Sequence, residues 1–487
     1  MLTRLRIKGF KNLADEDIFF GAFTCIAGRN GVGKSNIFDA ITFLSALADK
    51  SIVDAALAVR GTNGRLSDLG EIFTKGAGNG IRQIEIQADL ITPLKVIDEY
   101  EREVEPLTTY LEYKLTLAYD PKRQGGKDGD PIYIVHESLD AKQKRLKEAK
   151  NDLHFLPAQG LDWFKEHIRI HANRRPAYIS MVEQGTAITL HSEGTKYPGR
   201  PPNVFANKSP RTRLSGVTSE EHPTALAARR EMQSWRLLQL EPSALRRMDE
   251  FRDKSVVSVT GEHLPNALLR IGNQAEIAAN LSDLIPGIVS VDVESDQARE
   301  LRSLKVTLKD RIPYAASSLS DGTLRFLALA IMSSDSENSG LLCMEEPENG
   351  IHPERIEAML HLVKQLADTD YKSAEGKEIA SIRQVIINTH SPLVVGAVDE
   401  DDLLMAQAIR VGGHESIKLK PLMDSWRQKT GGLNDKQCVS KGVIGNYLGL
   451  MHPEPATYAE LTAKSFPKSR KIRDKYTDDM FKDVVNG

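Results

Sequence analysis

Residues Gly28–Ile41, "GRNGVGKSNIFDAI", set the reading of this 487-residue chain. From Gly28 to Ser35 they match GxxxxGK[ST], the pattern of a loop whose backbone N–H groups close round phosphates. Lys34 is spaced to reach the β- and γ-phosphates of a nucleotide, and the Ser35 hydroxyl to complete the shell of a Mg²⁺ ion. Gly28, Asn30, Gly31, Gly33, Lys34, Ser35 and Asn36 are therefore the candidate nucleotide contacts, with ATP and Mg²⁺ as the expected ligands. The flanks agree: "FTCIAG" is apolar enough for a strand buried on both faces, and "SNIFDAITFLSAL" sets Ile37, Ile41 and Leu44 at helical spacing. A glycine turn with a surface lysine would not require that order of strand, loop and helix.

Composition narrows the class. With 40% hydrophobic and 27% charged residues and a formal charge of −3, the chain suits a soluble protein with a sizeable core and is not a globally basic nucleic-acid coat. Its three cysteines, Cys25, Cys343 and Cys438, form no CxxC pair, which excludes a zinc ribbon and gives no support to a disulfide framework. Cys25 and Cys343 lie inside apolar runs and read as core thiols. The first residues, "MLTRLRIKGFKNL", lack the apolar core of a signal peptide, and no run is long enough to span a bilayer. A cytoplasmic location without a membrane partner is expected.

The pattern along the chain predicts an α/β fold interrupted in its middle. Residues 1–141 form the N-terminal half of a nucleotide-binding head, in which "IRQIEIQADL", "TYLEYKLTLAY" and "PIYIVHESL" alternate as an antiparallel meander. Residues 142–303 read as a mostly helical insertion, with a mobile basic loop between Lys196 and Arg213. Residues 304–410 return to α/β as the C-terminal half of the head, and 411–487 form an extension. The head is thus discontinuous.

Three further motifs lie in the second half. "LLCMEEPENGIHP" is a buried strand that delivers two acids at its carboxyl end, where ligands of open α/β sheets gather. Glu345 stands in the Walker B position as a candidate metal-shell residue, and Glu346 as the candidate catalytic group that polarises water. "SSLSDGTLRFLALA" sets a Ser and a Gly at a helix start, a second phosphate-binding turn in a chain that already has one. It resembles the LSGGQ signature of ABC-type ATPases, with Asp321 for the first Gly and Thr323 for Gln. Such a turn, Ser320 and Gly322 above all, serves the nucleotide of another subunit. "VIINTHSPLV" ends a strand in His390, at the place of a switch histidine that contacts the γ-phosphate. Asn349 and Gly350 match the D-loop position, and Gln83 is the one candidate for a Q-loop glutamine.

In this order the pieces resemble the ABC-type ATPases of the RecF, SMC and OLD group, and within it the short AAA family ATPases of bacterial anti-phage defence. The resemblance runs from "LTRLRIKGFKNL" through the meander and from "GEHLPNALLRI" to "NTHSPLVV". It implies an ABC-type P-loop ATPase head that dimerises, or forms a higher even-numbered assembly, round composite ATP sites. Lys34, Glu346 and His390 would carry slow hydrolysis. It also implies a partner effector nuclease of HNH or Toprim type. The chain shows no such nuclease itself: 97 residues follow His390, and their "DEDD" at Asp399–Asp402 reads as a solvated acidic turn. A DNA-repair or DNA-structure ATPase without a nuclease partner is the alternative. Arg174, Arg175, Arg200, Lys208, Arg211, Arg213 and the later "KSRKIRDK" offer phosphate-binding charge for it.

Overall fold

The computed structural model describes residues 1–60, 66–75, 81–123, 130–143, 145–153, 155, 164, 167–171, 177–193, 203–282, 284–335, 337, 339–367 and 383–448. The stretch 196–202 of the basic loop, Arg174, Arg175 and "KSRKIRDK" lie outside these residues.

Two sheets meet at the N-terminal segment. The strands of the first are β1 (Leu2–Phe10) and β2 (Leu13–Phe19), and β3 (Phe23–Ala27) opens the second. Helix α1 (Ser35–Leu47) follows the glycine loop, then α2 (Ile52–Leu57). The meander supplies β4 (Arg82–Ile91), β5 (Tyr110–Tyr119) and β6 (Ile132–Ala141). Three short strands extend it, β7 (Ile179–Val182), β8 (Ala187–Leu190) and β9 (Val204–Phe205). The result is an eight-stranded antiparallel sheet in the order β9-β8-β7-β6-β5-β4-β1-β2. Its alternating sequence buries one face: Leu5, Ile7, Ile84, Ile86, Leu115 and Leu117 turn inward and pack with Phe38, Ile41 and Leu44 of α1.

Helix α3 (Pro223–Gln233) leads into β10 (Arg236–Leu238); α4 (Leu264–Ile271) and α5 (Gln274–Leu281) precede the hairpin β11 (Ile288–Asp296) and β12 (Leu301–Leu308). Helix α6 (Asp321–Ser333), β13 (Gly340–Glu345), α7 (Ile356–Gln365), β14 (Arg383–Thr389), β15 (Leu403–Val411) and β16 (His414–Pro421) complete the second sheet and its cover. That sheet has the order β10-β13-β14-β3-β15-β16, and all its pairings are parallel except the last hairpin. Strands β3, β13 and β14 are buried, with apolar runs at Cys25–Ala27, Leu341–Met344 and Val385–Ile387, and their carboxyl ends lie at one edge. This is the mixed α/β P-loop head that the motifs predict.

The middle differs from its expected form. Residues 142–303 do not stand apart as a helical insertion: β7, β8 and β9 lengthen the antiparallel sheet, and β10 pairs with β13 in the parallel one. Short runs such as "YISMV" and "AITL" carry too few residues for a period to show, and they pair chiefly with each other at the end of the sheet. A buried carboxylate ties the segment down. Glu137 on β6 accepts from the backbone N–H of Arg213 at 2.7 Å and of Leu214 at 3.0 Å, and from the Tyr113 hydroxyl at 3.2 Å. The boundary at 410 also shifts, since β15 and β16 form one hairpin through Gly412 and Gly413, both at positive φ. Asp399 and Asp402 of the acidic turn are not simply solvated; both accept from Lys364. All three cysteines are buried and free. Among the described residues no helix is long and apolar enough to cross a membrane.

Candidate functional site

The loop between β3 and α1 is shaped by two glycines at positive φ, Gly31 at 80° and Gly33 at 95°. A Cβ on Gly33 would stand 2.0 Å from Asn12 Nδ2, so this place tolerates no side chain without displacing Asn12. Asn12 comes from the turn between β1 and β2. It donates to Val32 O at 3.1 Å and accepts from Asn36 Nδ2 at 2.7 Å. Asn36 thereby braces the loop from behind and does not line the cleft described below. Helix α1 begins without a side-chain cap, and the N–H groups of Asn36 and Ile37 donate to Gly33 O at 3.0 Å and Lys34 O at 3.1 Å. Lys34 folds back over the loop, donating to Gly28 O at 2.7 Å and Arg29 O at 3.0 Å. Burial holds its ammonium below the ordinary lysine value, against the opposing pull of Glu346, Glu348 and Glu345.

Strand order brings the acids to this loop. Strand β14 lies between β3 and β13, so the ends of β13 and β14 flank the glycine loop. A cleft of about 490 Å³ results, lined by Asn30, Gly31, Gly33, Lys34 and Ser35 on one side and by Glu345, Glu346, Asn349 and Asn388 on the other. The sequence motifs separated by some three hundred residues thus share one surface. Gly28 sits beneath, its N–H donating to Thr389 O at 3.2 Å.

The two acids have different partners. Glu345 Oε2 accepts from Arg60 Nη1 at 2.8 Å, and the same guanidinium donates to Asp39 Oδ1 at 2.7 Å and Ser35 O at 3.0 Å. Glu345 Oε1 is buried with no hydrogen-bond partner. Glu346 instead has φ of 45°, an unusual value for a residue with a Cβ, held by its N–H donating to Asn388 O at 3.1 Å. Its carboxylate lies 2.7 Å from His390 Nδ1 and accepts from Asn349 Nδ2 at 2.8 Å. Burial pushes Glu346 upward, but the bonds from Asn349 and His390 prevail and its carboxyl titrates below the usual glutamate range. An ionised carboxylate beside an imidazole can accept a proton from, or orient, a water molecule.

The signature turn lies elsewhere. Ser320 caps α6, accepting from Thr323 N at 3.2 Å, and is exposed. Neither Ser320 nor Gly322 lines the cleft. Gly322 packs against the D-loop position instead: a Cβ there would stand 3.3 Å from Gly350 O, and Arg325 donates to Asn349 O. Gln83 does not approach the cleft; it sits within the antiparallel ladder opposite Ala118.

Several residues here escaped the sequence motifs. Arg60 and Lys11 both pair with Asp39, which is 5% exposed on α1; an acid on a buried helix face demands a cation, and that was the available signal. Asn388, next to last in the buried strand β14, is a polar residue that lines the cleft. Gln239 follows β10, the strand beside β13, and lines a second cleft that shares Glu345, Glu346 and Asn349 with the first. Its "LLQLEP" context carries no spacing that distinguishes it. Of the described basic residues, Arg211 donates to Asp49 O at 2.8 Å, and Arg213 is half-buried, with burial lowering its guanidinium below the ordinary arginine value.

Residues 1–174 match the family described as "AAA ATPase domain", and residues 208–396 the family described as "AAA domain, putative AbiEii toxin, Type IV TA system". No curated protein matches the chain. Among solved structures, the SmcHead bound to the C-winged helix domain of ScpA is 14% identical, with 86% of this chain and 98% of that one covered at a TM-score of 0.42. The SMC head domain from Thermotoga maritima is 16% identical over 86% and 98% at 0.36. The Smc head domain with an extended coiled coil, bound to the C-terminal domain of ScpA derived from Pyrococcus furiosus, is 13% identical over 86% and 96% at 0.38. The fold itself rests on the strand order given above. The glycine loop thus lies in a segment similar to one AAA ATPase domain family, and the acidic strand end in a segment similar to another.

Proposed function

We propose that this ATPase works as a pair of heads with composite ATP sites and serves as the nucleotide-dependent sensor or regulator of a partner effector nuclease, of HNH or Toprim type, in anti-phage defence. The observation that carries the paired arrangement is the separation of two phosphate-reading turns. The P-loop shares its cleft with Glu345 and Glu346, while Ser320 and Gly322 lie outside that cleft, on an exposed surface with the D-loop position. A signature turn so placed meets a γ-phosphate only when a second subunit presents one. The defence role rests on the resemblance of the motifs to anti-phage ATPases, most of all to the Septu ATPase subunit PtuA, with AriA of PARIS next.

In this reading Lys34 and the backbone N–H groups of Gly31 and Gly33 hold the β- and γ-phosphates. Leaving the carbonyls of Gly28 and Arg29 for a phosphate exchanges neutral acceptors for a charged one. The Ser35 hydroxyl and Glu345 would hold Mg²⁺: both are hard oxygen donors, and the partnerless Glu345 Oε1 fits a metal-bound water. Bound there, the ion supplies charge neutralisation at the phosphates. Glu346 orients the attacking water and takes up its proton, His390 holds Glu346 and reads the γ-phosphate, and Gln239 fills the role for which Gln83 was the candidate. The contribution of the partner's signature turn is electrostatic closure of the site.

The test is the mass of the full chain with Glu346→Gln, alone and co-expressed with the product of the neighbouring gene, with and without ATP. The expected result is an even-numbered assembly that needs ATP and a co-purifying nuclease. A monomer under every condition removes the composite site; an ATP-dependent assembly with no nuclease but with affinity for DNA moves the function to DNA repair or DNA-structure binding.

A further inference from the structure

The switch histidine stands on a buried support that the motifs do not describe. Thr389, which precedes it, is fully buried and donates its hydroxyl to Glu348 Oε1. The same Thr389 Oγ1 accepts from the N–H of Ser391, the residue that follows the histidine, at 2.9 Å. The backbone on both sides of His390 is therefore anchored through one hydroxyl to one carboxylate. A third restraint comes from Tyr447, whose hydroxyl donates to His390 O at 2.8 Å.

Glu348 is an expensive group to place there. It is 7% exposed, and its Oε2 has no hydrogen-bond partner. A carboxyl withdrawn from water with half its acceptors unused destabilises a fold. Burial accordingly pushes it above the ordinary glutamate value. A cap chosen for stability alone would be a neutral group with every lone pair met. What Glu348 does supply is geometry at a distance from the cleft: it belongs to the same turn as Glu346, while its partner Thr389 belongs to the strand end that carries His390.

We propose that Glu348 is a positioning residue for hydrolysis: through the Thr389 hydroxyl it locks the end of β14 to the turn after β13, and so holds His390 Nδ1 at the carboxylate of Glu346. This rests on the reading of Glu346 and His390 given above. Two contacts then join the same two segments. The outer one, Glu346 to His390, reaches the cleft through Glu346, and the inner one, Glu348 to Thr389, is buried. Neither Glu348 nor Thr389 lines the cleft, and the bond from Gly28 to Thr389 is made by the backbone O, which a side-chain substitution keeps.

The experiment compares steady-state hydrolysis with direct binding of a fluorescent ATP analogue in the full chain. Thr389→Val, which keeps the shape and removes the donor, is expected to lower kcat at least about tenfold while KM and nucleotide affinity stay within about threefold. Thr389→Ser restores the hydroxyl and is expected to return kcat to within about threefold of the wild type. Glu348→Ala should match Thr389→Val, and the double variant should lose no more than either single one. Wild-type kcat in Thr389→Val, or equal loss in the valine and serine variants, overturns the proposal. Glu346→Gln separates the two levels of inference. If it abolishes hydrolysis while Thr389→Val is fully active, only the role of Glu348 is wrong; if Glu346→Gln itself turns over normally, the reading of the acids fails first.

Discussion

The two walls of the nucleotide cleft are built in opposite ways. On the P-loop side the contacts are local: Lys34 bonds carbonyls five and six residues back, and the turn is set by the φ of Gly31 and Gly33. On the acid side the contacts that assemble the wall are long-range, with Arg60 285 residues from Glu345 and Glu346 44 residues from His390, and Asn349 alone bonds Glu346 from its own turn. One wall is therefore specified by a short string of residues and the other by the order of strands in a sheet. Local geometry survives any rearrangement that spares the loop; the acid wall exists only when β3, β13 and β14 are docked.

The strongest way to break this contrast is to remove one group from each wall. Lys34→Ala should abolish nucleotide binding, read by calorimetry, because the loop loses the ammonium assigned to the β- and γ-phosphates. Glu346→Gln should leave binding intact and lower kcat by about 100-fold or more, the usual scale for a positioned general base. If both variants failed at the same step, the two walls would not be separable. Within the loop the glycines give a sharper comparison. Gly33→Ala combines a positive φ with a clash against Asn12 and should abolish binding, whereas Gly31→Ala meets nothing within 4 Å and pays only the left-handed backbone, about 1–2 kcal/mol.

This division explains what could be read in advance. The loop after β3, the acidic end of β13, the helix start at Ser320 and the strand end before His390 could be placed as elements because each is a short motif at fixed spacing. The strands β7 to β10 were not, since "AITL" is too short to show a period and "RLL" acquires its identity from a partner strand about a hundred residues on. Arg60 escaped for the same reason. Only its pairing with Asp39 and Glu345 across the fold makes it part of the site. Asn36 shows the converse: adjacency to the motif placed it among the contacts, yet its amide is spent on Asn12.

Arg60 and Glu137 set function against structure on the long-range side. Arg60→Ala removes the guanidinium that links Ser35, Asp39 and Glu345, and should lower kcat by about tenfold. Its effect on stability should be under about 1 kcal/mol, because the arginine is 41% exposed and its ion pairs are screened. Glu137→Gln should do the reverse. The amide replaces one acceptor with a donor facing the N–H groups of Arg213 and Leu214, so urea denaturation should show a loss of about 1–3 kcal/mol with kcat unchanged once folded. A large kinetic defect in Glu137→Gln would mean that the segment after residue 203 communicates with the cleft.

The smallest expected effect divides two carboxylates only two residues apart. Glu346 titrates below the ordinary value of 4.5, because the bonds from Asn349 and His390 outweigh its burial. Its contribution to stability is therefore present above that ordinary value and lost as pH falls through the lower, folded one. Glu348 is raised above 4.5 by burial, so its contribution is present below that value and lost as pH rises through the higher, folded one. The neighbours should oppose each other in acid. Measured by urea midpoints across this range, the wild type should gain on Glu346→Gln as pH rises, and should lose ground to Glu348→Gln over the same interval. Parallel curves for the two variants would mean that the acids share one environment, and the distinction between an ionised group at the cleft and a buried support behind it would fall.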